Sequence, residues 1–338
     1  TDQLHRNDGG REYEIGLAVP LWLPGERAST AALADAEVRA STSRTLAAQL
    51  RTAAGVRAAY WDWQRARVDV LVARERLASA RELAADVSKR VRAGELARAD
   101  QHQADGALAT AEASLAEASG ALAGAEQQLR ALTGMTPALA AEGLSVAEAE
   151  PAPAAPPVAL GAGHPAIAEL RDRAELAQRS MTLAGIQGRA NPELNLATTR
   201  ERGASGESWQ QTVTIGVRIP FGSDSRNRAR VASASAEAIE AETQLRLERE
   251  RLTAEVDTAR VRVESARTLV ASAEQRAQLA RESRGFFQKA FRLGETDLPT
   301  RLRIELEATE AERQVARTRI ELAAAVSALR QAMGLLPE

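Results

Sequence analysis

Residues 245–280 read LRLERERLTAEVDTARVRVESARTLVASAEQRAQLA, and the spacing of their apolar residues decides the fold. Two series recur every seven positions, the second four residues after the first: Leu245, Leu252, Ala259, Ala266, Ala273 and Ala280, then Val256, Val263, Val270 and Ala277. This alternation is typical of a coiled-coil seam. The surrounding stretch, 226–291, has no proline and one glycine, Gly285. As one helix it would reach about 100 Å, far more than a compact domain needs.

The same seam occurs a second time, 200 positions earlier. It comprises Ala59, Ala66, Ala73 and Ala80, with Val56, Trp63, Val70 and Leu77 beside them. The offset also holds outside the helix, since Ile15-Gly16 matches Ile215-Gly216, Pro20 matches Pro220, and Gly134 matches Gly334. A fixed offset of this kind predicts an internal duplication.

Composition narrows the possible functions. The 44 basic and 46 acidic residues are interleaved, which argues against the basic face of a nucleic-acid-binding protein. The absence of cysteine excludes disulfides and thiolate metal sites. No apolar run reaches 18 residues, so we expect no transmembrane helix. The three histidines, His5, His102 and His164, are scattered, and we expect all of them at the surface, with no metal site and no cofactor.

The pattern predicts a mainly α protein with a small β part, built from two repeats. The first repeat covers residues 1–137 and the second covers 164–338, with an Ala/Pro-rich linker at 138–163 between them. The predicted strands are 12–23, 192–199 and 209–221, and the predicted helices are 26–91, 96–131, 164–189, 226–291 and 297–333.

The strands alternate between apolar and polar or small residues. Val213, Ile215 and Val217 are separated by Thr214 and Gly216. At about 10 residues, each strand has the length of a tilted membrane β-strand, but an ordinary half-buried strand would show the same pattern.

Proline and glycine mark the two kinds of junction in each repeat. The strand-to-helix junctions contain Pro20, Pro24, Gly25, Pro220 and Gly222, where proline ends the ladder of hydrogen bonds. Gly94 and Gly294 each close a long helix, and Thr296 or Asp297 is suited to cap the helix that returns. In each repeat a long helix is followed by a tight turn and a second long helix. This order predicts two antiparallel hairpins, one in each repeat.

Five segments give the chain a family resemblance: VPLWLPG (19–25), GELARAD (94–100), NPELNL (191–196), RIPFGSDSR (218–226) and GETDLPTRL (294–302). With this order of elements, the chain resembles the outer-membrane efflux channels, the TolC-like family. Residues 292–302 look most like the branch that serves heavy-metal efflux pumps of the resistance-nodulation-division type.

The resemblance implies a homotrimer that joins four strands per chain into a β-barrel and the long helices into a periplasmic α-barrel. It implies a passive conduit from periplasm to exterior, working with a periplasmic adaptor and an inner-membrane pump on heavy-metal cations. Since three strands are recognisable, we expect the front of the first repeat to be missing from this sequence.

The resemblance also implies a role for the two glycine turns. They would meet at the periplasmic tip, contact the adaptor and hold the resting channel shut. The residues assigned to this tip are Arg92, Gly94, Glu95 and Asp100 in the first turn and Arg292, Gly294, Glu295 and Asp297 in the second. Acidic residues repeated by symmetry would form rings that attract cations.

Two other functions remain open from the sequence. A periplasmic adaptor would have a single helical hairpin, which the duplication opposes. A soluble coiled-coil scaffold would have no use for the alternating strands. An enzyme is disfavoured, because the chain has no phosphate-binding loop and neither a GxSxG nor an HExxH motif.

Overall fold

A computed structural model describes residues 10–135, 148–151, 163–221 and 224–337. The predicted class, mainly α with a small β part, is confirmed. The elements in chain order are β1 (Arg11–Pro20), α1 (Glu26–Arg92), α2 (Arg98–Thr133), α3 (Pro165–Ile186), β2 (Glu193–Arg202), β3 (Gln210–Arg218), α4 (Asp224–Leu293) and α5 (Leu298–Ala332).

The three strands form one antiparallel sheet in the order β1-β2-β3. Leu17, Leu196 and Ile215 lie side by side at its centre. β1 ends at Pro20 and β3 ends at Arg218, both short of the predicted ends at 23 and 221. Proline donates no hydrogen bond to a ladder, so each strand stops at or just before its proline.

Most heptad positions of α4 are buried, as the sequence predicts, whereas Leu245, Val270 and Ala280 are half-buried. Val263 and Ala277 are each 1% exposed. This seam packs on α5, where Val256 and Val263 join Val326 and Leu329. α1 pairs with α2 in the same way, through Ala59, Trp63 and Leu129. Small side chains at these positions let the helices of each hairpin approach closely.

Two compact units divide the chain, and they do not follow the repeat boundaries. One unit is Thr1–Thr45 with Ala166–Glu248, and the other is Leu46–Pro165 with Arg249–Glu338. Each unit therefore contains parts of both predicted repeats. Most of the predicted linker, 138–163, lies outside the described residues. Of its described residues, 148–151 and 163, Glu148 accepts a pair of hydrogen bonds from Arg57, the shorter 2.6 Å long.

His164 corrects one expectation, because it is buried rather than at the surface. Its side chain is 5% exposed, and its Nε2 lies 3.3 Å from the carbonyl oxygen of Ala332. The residues that follow α5 turn back over the imidazole ring of His164. A pattern of neighbouring residues in the sequence cannot predict a contact between segments so far apart. His102 is exposed as expected, and His5 lies outside the described residues.

No helix in the described ranges combines the length and the apolar character needed to cross a membrane.

Candidate functional site

The sheet has one apolar face, and that face is exposed. The register pairs the residues of this face across neighbouring strands. On β1 and β2 the pairs are Ile15 with Thr198, Leu17 with Leu196 and Val19 with Leu194. The same β2 residues pair on their other side with Val213, Ile215 and Val217 of β3, in that order. Ile15 is 74% exposed and Ile215 is 73% exposed. Neither is covered by another part of the described chain. The sheet therefore exposes a contiguous apolar surface, and contact of that surface with water is unfavourable.

The opposite face is polar or small. Thr212, Thr214 and Arg218 lie on it, and Arg218 forms an ion pair with Glu193 at 3.8 Å. Successive side chains of a strand point to opposite faces of the sheet, so neighbouring residues in the sequence belong to different faces.

Aromatic residues lie beyond both ends of the apolar surface. At the end nearest the β2–β3 loop, the rings of Tyr13 and Trp209 are 5.6 Å apart. At the end nearest the helices, Trp22 is 57% exposed and Phe221 is 90% exposed. Apolar residues bordered by aromatic residues at both ends are typical of a strand that spans a lipid bilayer.

The first strand-to-helix junction is organised by Glu26, which sequence reasoning missed. Pro24 and Gly25 form a turn in which Gly25 has a positive φ of 81°. The turn folds Glu26 back, so that its carboxylate accepts hydrogen bonds from the Leu23 backbone at 2.8 Å, from Gln187 at 2.6 Å and from Asn191 at 2.9 Å. The side chain is buried, and it ties the start of α1 to the chain between α3 and β2.

The chain between α3 and β2 also contacts the second strand-to-helix junction, at the start of α4. Asn227 donates to the carbonyl oxygen of Gly188, and Arg230 donates to that of Gln187. The predicted junction residues Pro20 and Pro220 end the strands that lead into these contacts, whereas Gly222 lies outside the described residues. Both helix starts are therefore held by residues 187–191.

Glu26 should give the protein an acid-sensitive stability. The backbone hydrogen bond from Leu23, followed by that from Gln187, lowers the pKa of Glu26 below its ordinary value of 4.5. Its contribution to stability is therefore complete above about pH 4.5 and is lost as the pH falls through the lower pKa of the folded state. Glu26→Gln should reduce proton uptake on unfolding by up to about one proton in this acidic range.

The measurement is the free energy of unfolding as a function of pH. Gln at position 26 places an amide donor among three donors, so the variant should also be less stable at neutral pH. The control is Glu37→Gln, which removes an exposed carboxylate from the same helix and leaves the contacts of Glu26 intact. Identical pH curves for Glu26→Gln and the native chain would refute the assignment.

The two glycine turns share one hydrogen-bond pattern. Gly94 and Gly294 have positive φ angles of 82° and 76°. The next residues, Glu95 and Glu295, each donate to the carbonyl oxygen five positions back, at 2.9 Å. This is the Schellman ending of a helix, and the left-handed conformation it requires explains the glycine in both copies.

Phe291 joins the two turns, although no sequence pattern singles it out. Its side chain is 1% exposed and packs with Leu83, Val87 and Leu298. The guanidinium carbons of Arg90 and Arg301 lie 4.8 Å and 4.7 Å from the ring centre. The ends of both hairpins therefore share one small core, in which two cations lie against an aromatic ring.

Most of the predicted tip residues are exposed, and several have structural partners. Arg92 donates to the Ser88 carbonyl oxygen at 3.2 Å, Glu95 accepts from Arg90 at 3.1 Å, and Asp100 accepts from the Ala97 backbone at 3.0 Å. Arg292 and Glu295 are exposed.

Asp297 caps α5 by accepting from the Thr300 backbone at 3.1 Å. The hydrogen bond from the Thr300 side chain, and then that from its backbone, lower the pKa of Asp297. Within the described residues, no group of three or more His, Asp or Glu side chains is placed to hold a metal ion.

The chain matches known proteins in two ways: part of its sequence matches a family model, and its fold matches solved structures. The family model described as outer membrane efflux protein matches residues 6–135, which is less than half of the chain. No curated protein matches the chain significantly in sequence. Solved structures match over nearly the whole length at low sequence identity.

The outer membrane protein VceC from Vibrio cholerae is 18% identical, with a TM-score of 0.75 over 97% of this chain and 88% of that one. The open state of the Neisseria gonorrhoeae MtrE outer membrane channel is 18% identical, with a TM-score of 0.78 over 96% and 76%. The Campylobacter jejuni CmeC outer membrane channel is 16% identical, with a TM-score of 0.75 over 96% and 77%.

At these identities the structural matches establish the fold. Residues 6–135 thus match the outer membrane efflux protein family, the chain as a whole has the fold of outer-membrane channels, and its resemblance to the TolC-like family is confirmed.

Proposed function

We propose that the protein is the outer-membrane channel component of a tripartite efflux system and forms a passive conduit from periplasm to exterior. The observation that carries this proposal is the exposed apolar face of the sheet, bordered by aromatic residues at both ends. β1 has 10 residues. A strand of this length is about 33 Å long and, tilted by about 40°, spans about 25 Å, the height of the apolar band of a membrane β-barrel.

The edges of the sheet support assembly with other copies of the chain. β1 and β3 lie at its two edges, and each pairs on one side only within the described chain. Unpaired backbone groups are not tolerated in lipid, so each edge needs a further strand, either the fourth strand that the resemblance implies or a strand of another copy. The trimer is the assembly that the family resemblance implies, with the α-helices extending into the periplasm.

One pair of substitutions tests the membrane assignment. Ile215→Lys places a charge at the middle of the apolar face and should cost about 2–4 kcal/mol per chain if that face meets lipid. Thr214→Lys, one residue away on the opposite face, should cost little. We expect planar-bilayer conductance from the native chain and from Thr214→Lys, and none from Ile215→Lys. Equal conductance or equal loss in the two variants would refute the proposal.

The turns around Gly94 and Gly294 are proposed as the periplasmic tip that contacts the adaptor and closes the resting channel. Glu295 and Asp297 are both exposed, which suits acidic rings around a constriction. The shared core around Phe291 supports this role, because it gives the two hairpins one packed contact that can hold or release both. Opening would then be a change in packing rather than a chemical step.

Charge and capping at the tip can be separated by experiment. Glu295→Gln combined with Asp297→Asn removes both charges and keeps the cap, since asparagine caps helices as well as aspartate. We expect the preference of the channel for cations, measured from reversal potentials, to fall severalfold. Asp297→Ala removes the cap as well, so it should also loosen the turn and raise single-channel conductance. Unchanged selectivity and conductance in all variants would remove the gate assignment.

The heavy-metal cargo and a resistance-nodulation-division pump as partner are proposed on the likeness of residues 292–302 alone. Acidic rings would favour cations over anions but would not choose between metals, so the pump would set the cargo. Growth of a channel-deficient host on copper, silver, zinc or cobalt, with and without this chain, would test the cargo.

A further inference from the structure

α4 has a second apolar stripe, on the side opposite its buried seam. Leu279, Phe286 and Leu293 recur every seven residues and are 58%, 68% and 74% exposed. Phe286 follows the buried Ala277 by nine residues, which is about two and a half helical turns, so their side chains lie on opposite sides of the helix. This outer stripe of α4 therefore has the spacing of a coiled-coil seam on a face that the described chain leaves exposed.

α2 has a stripe of small residues with a matching spacing. Its members are glycine or alanine and are all exposed: Ala99, Gly106, Ala109, Ala113, Ala116 and Gly120. Ala113 follows the buried Ala104 by nine residues, so this small stripe also lies opposite the seam of its own hairpin. A row of small residues leaves holes into which the large side chains of another helix can fit.

Two glycines of the small stripe, Gly106 and Gly120, are not required by any contact in the described chain. Glycine inside a helix lowers the stability of that helix relative to alanine. A Cβ atom added at either position would meet nothing within 4 Å. A second helix packed closely against this face would explain both glycines, because only glycine leaves the backbone bare for a close approach.

The two stripes begin at the same height, next to the glycine turns. Leu293 is the last residue of α4, and Ala99 is the second residue of α2. The ends of the two hairpins are level, since the Arg90 side chain donates a hydrogen bond to the carbonyl oxygen of Phe291 at 3.3 Å. Leu293 and Ala99 are therefore level as well.

Counting from the turns places each large residue level with a small one. α4 runs towards the turns and α2 runs away from them, and both stripes advance by seven residues, or about 10 Å. Phe286 is therefore level with Gly106, and Leu279 is level with Ala113. Rotation about an axis parallel to the helices leaves these heights unchanged, so the same residues are level between the copies of a cyclic assembly.

We propose that the outer stripe of α4 packs into the small stripe of α2 on the next copy of the chain. The proposal rests on the proposed function, in which three copies assemble, and it adds the surfaces and the register through which they join. Each copy offers α4 to one neighbour and α2 to the other, so the contact is heterologous and closes into a ring. A second copy is the favoured occupant, because one chain has both complementary stripes at matching heights.

The contact also bears on the closing of the tip. Because it begins at the glycine turns, Leu293 and Phe286 must leave the holes of the neighbouring α2 before the hairpins of two copies can separate. The tip of one copy is therefore incomplete without the α2 helix of the next.

The main experiment is disulfide cross-linking of the full chain, which has no cysteine of its own. Phe286→Cys and Gly106→Cys are combined in one chain, which is reconstituted in lipid and oxidised. Each copy should then be joined to both neighbours, so a non-reducing gel should show a covalent trimer. Leu279→Cys with Ala113→Cys is a second pair in register, in case the first pair fails to fold. The matched control, Phe286→Cys with Ala113→Cys, is out of register by about 10 Å, which a disulfide cannot span.

Overpacking tests the holes without a cross-link. Ala113→Phe fills one hole and should weaken association of the copies by about tenfold or more. Ala121→Phe is the control, since it adds the same ring to an exposed alanine of α2 outside the stripe. Phe286→Ala should also weaken association, but it should hardly change the stability of a separated chain, where this side chain is mostly exposed. Association is measured by native mass spectrometry over a range of protein concentrations.

The outcomes distinguish this proposal from the proposed function. Failure of the native chain to form a trimer would contradict both. A trimer in which neither in-register pair forms a disulfide, or in which the out-of-register pair forms one as readily, would overturn the interface alone. Disulfides confined to single chains, or equal effects of Ala113→Phe and Ala121→Phe on association, would overturn it as well.

Discussion

Replacing Phe291 by alanine should destabilise the unit formed by Leu46–Pro165 and Arg249–Glu338 by about 3–5 kcal/mol, the largest effect expected of a truncation near the two glycine turns. The ring is 1% exposed, and the guanidinium groups of Arg90 and Arg301 both lie against it. Its loss would leave a cavity beneath both glycine turns and would remove the ring against which two cations lie. Burial of Arg301 lowers the pKa of its guanidinium, and the charge of Asp86 opposes this shift.

Two further variants show how much of this cost belongs to the ring. Phe286→Ala lies on the same helix but removes a side chain that is 68% exposed, so it should be nearly neutral. Phe291→Leu keeps most of the volume and removes the ring, so it should lose about 0.5–2 kcal/mol for the cation–π contacts in addition to any repacking cost. The measurement is chemical unfolding together with hydrogen exchange at the turn amides. Similar costs for Phe291→Ala and Phe286→Ala would contradict the shared core.

Gly334→Ala should cost about 2–5 kcal/mol, considerably more than the same change at the matching glycine of the first repeat. Both glycines have a positive φ, 78° at Gly334 and 70° at Gly134. A side chain in this conformation costs about 1–2 kcal/mol at either site. At Gly334, the new methyl would also lie 2.7 Å from His164 Cδ2 and 2.8 Å from Pro165 Cδ, whereas at Gly134 it would meet nothing within 4 Å.

The difference between these two variants isolates the close approach. His164 is buried and Pro165 is rigid, so neither can move aside cheaply. Overpacking of this kind adds about 1–3 kcal/mol at Gly334. The check is the free energy of unfolding of both variants under the same conditions. Equal costs would mean that the contact with His164 and Pro165 does not constrain the end of α5.

The sequence predicts well what repeats along the chain. The seven-residue spacing identifies Val256, Val263 and Ala277 as buried, and all three are buried. The alternation around Ile215 identifies one face of a strand, and the register confirms it. Both patterns arise from the geometry of a single element, so neighbouring residues are sufficient to reveal them.

The sequence fails where a residue is positioned by a distant segment. Glu26 looks like an ordinary charge at a helix start, yet its partners Gln187 and Asn191 lie more than 150 positions away. Asp69 looks like one more solvated acid in a charged helix, yet it accepts from Arg317 at 2.6 Å. Burial alone would raise the pKa of Asp69, and the hydrogen bonds and charges of Arg317 and Arg313 outweigh it and lower that pKa.

The duplication also hides differences between the copies. Phe291 matches Val91 at the offset of 200, but Phe291 is buried in the core that the two hairpin ends share, whereas Val91 is only partly buried against that core. Arg57, which holds Glu148, matches the exposed Asp257. Equal positions in the repeats thus have different neighbours, so one copy does not predict the contacts of the other.

The central claim is that one face of the sheet meets lipid and the other meets water. The chain has no cysteine, so single cysteines can be introduced along β3 at positions 212–217 and spin-labelled without background. In reconstituted vesicles, collisions with oxygen should be frequent at 213, 215 and 217, and collisions with a water-soluble nickel chelate should be frequent at 212, 214 and 216. Equal accessibility to both reagents along the strand would contradict the claim.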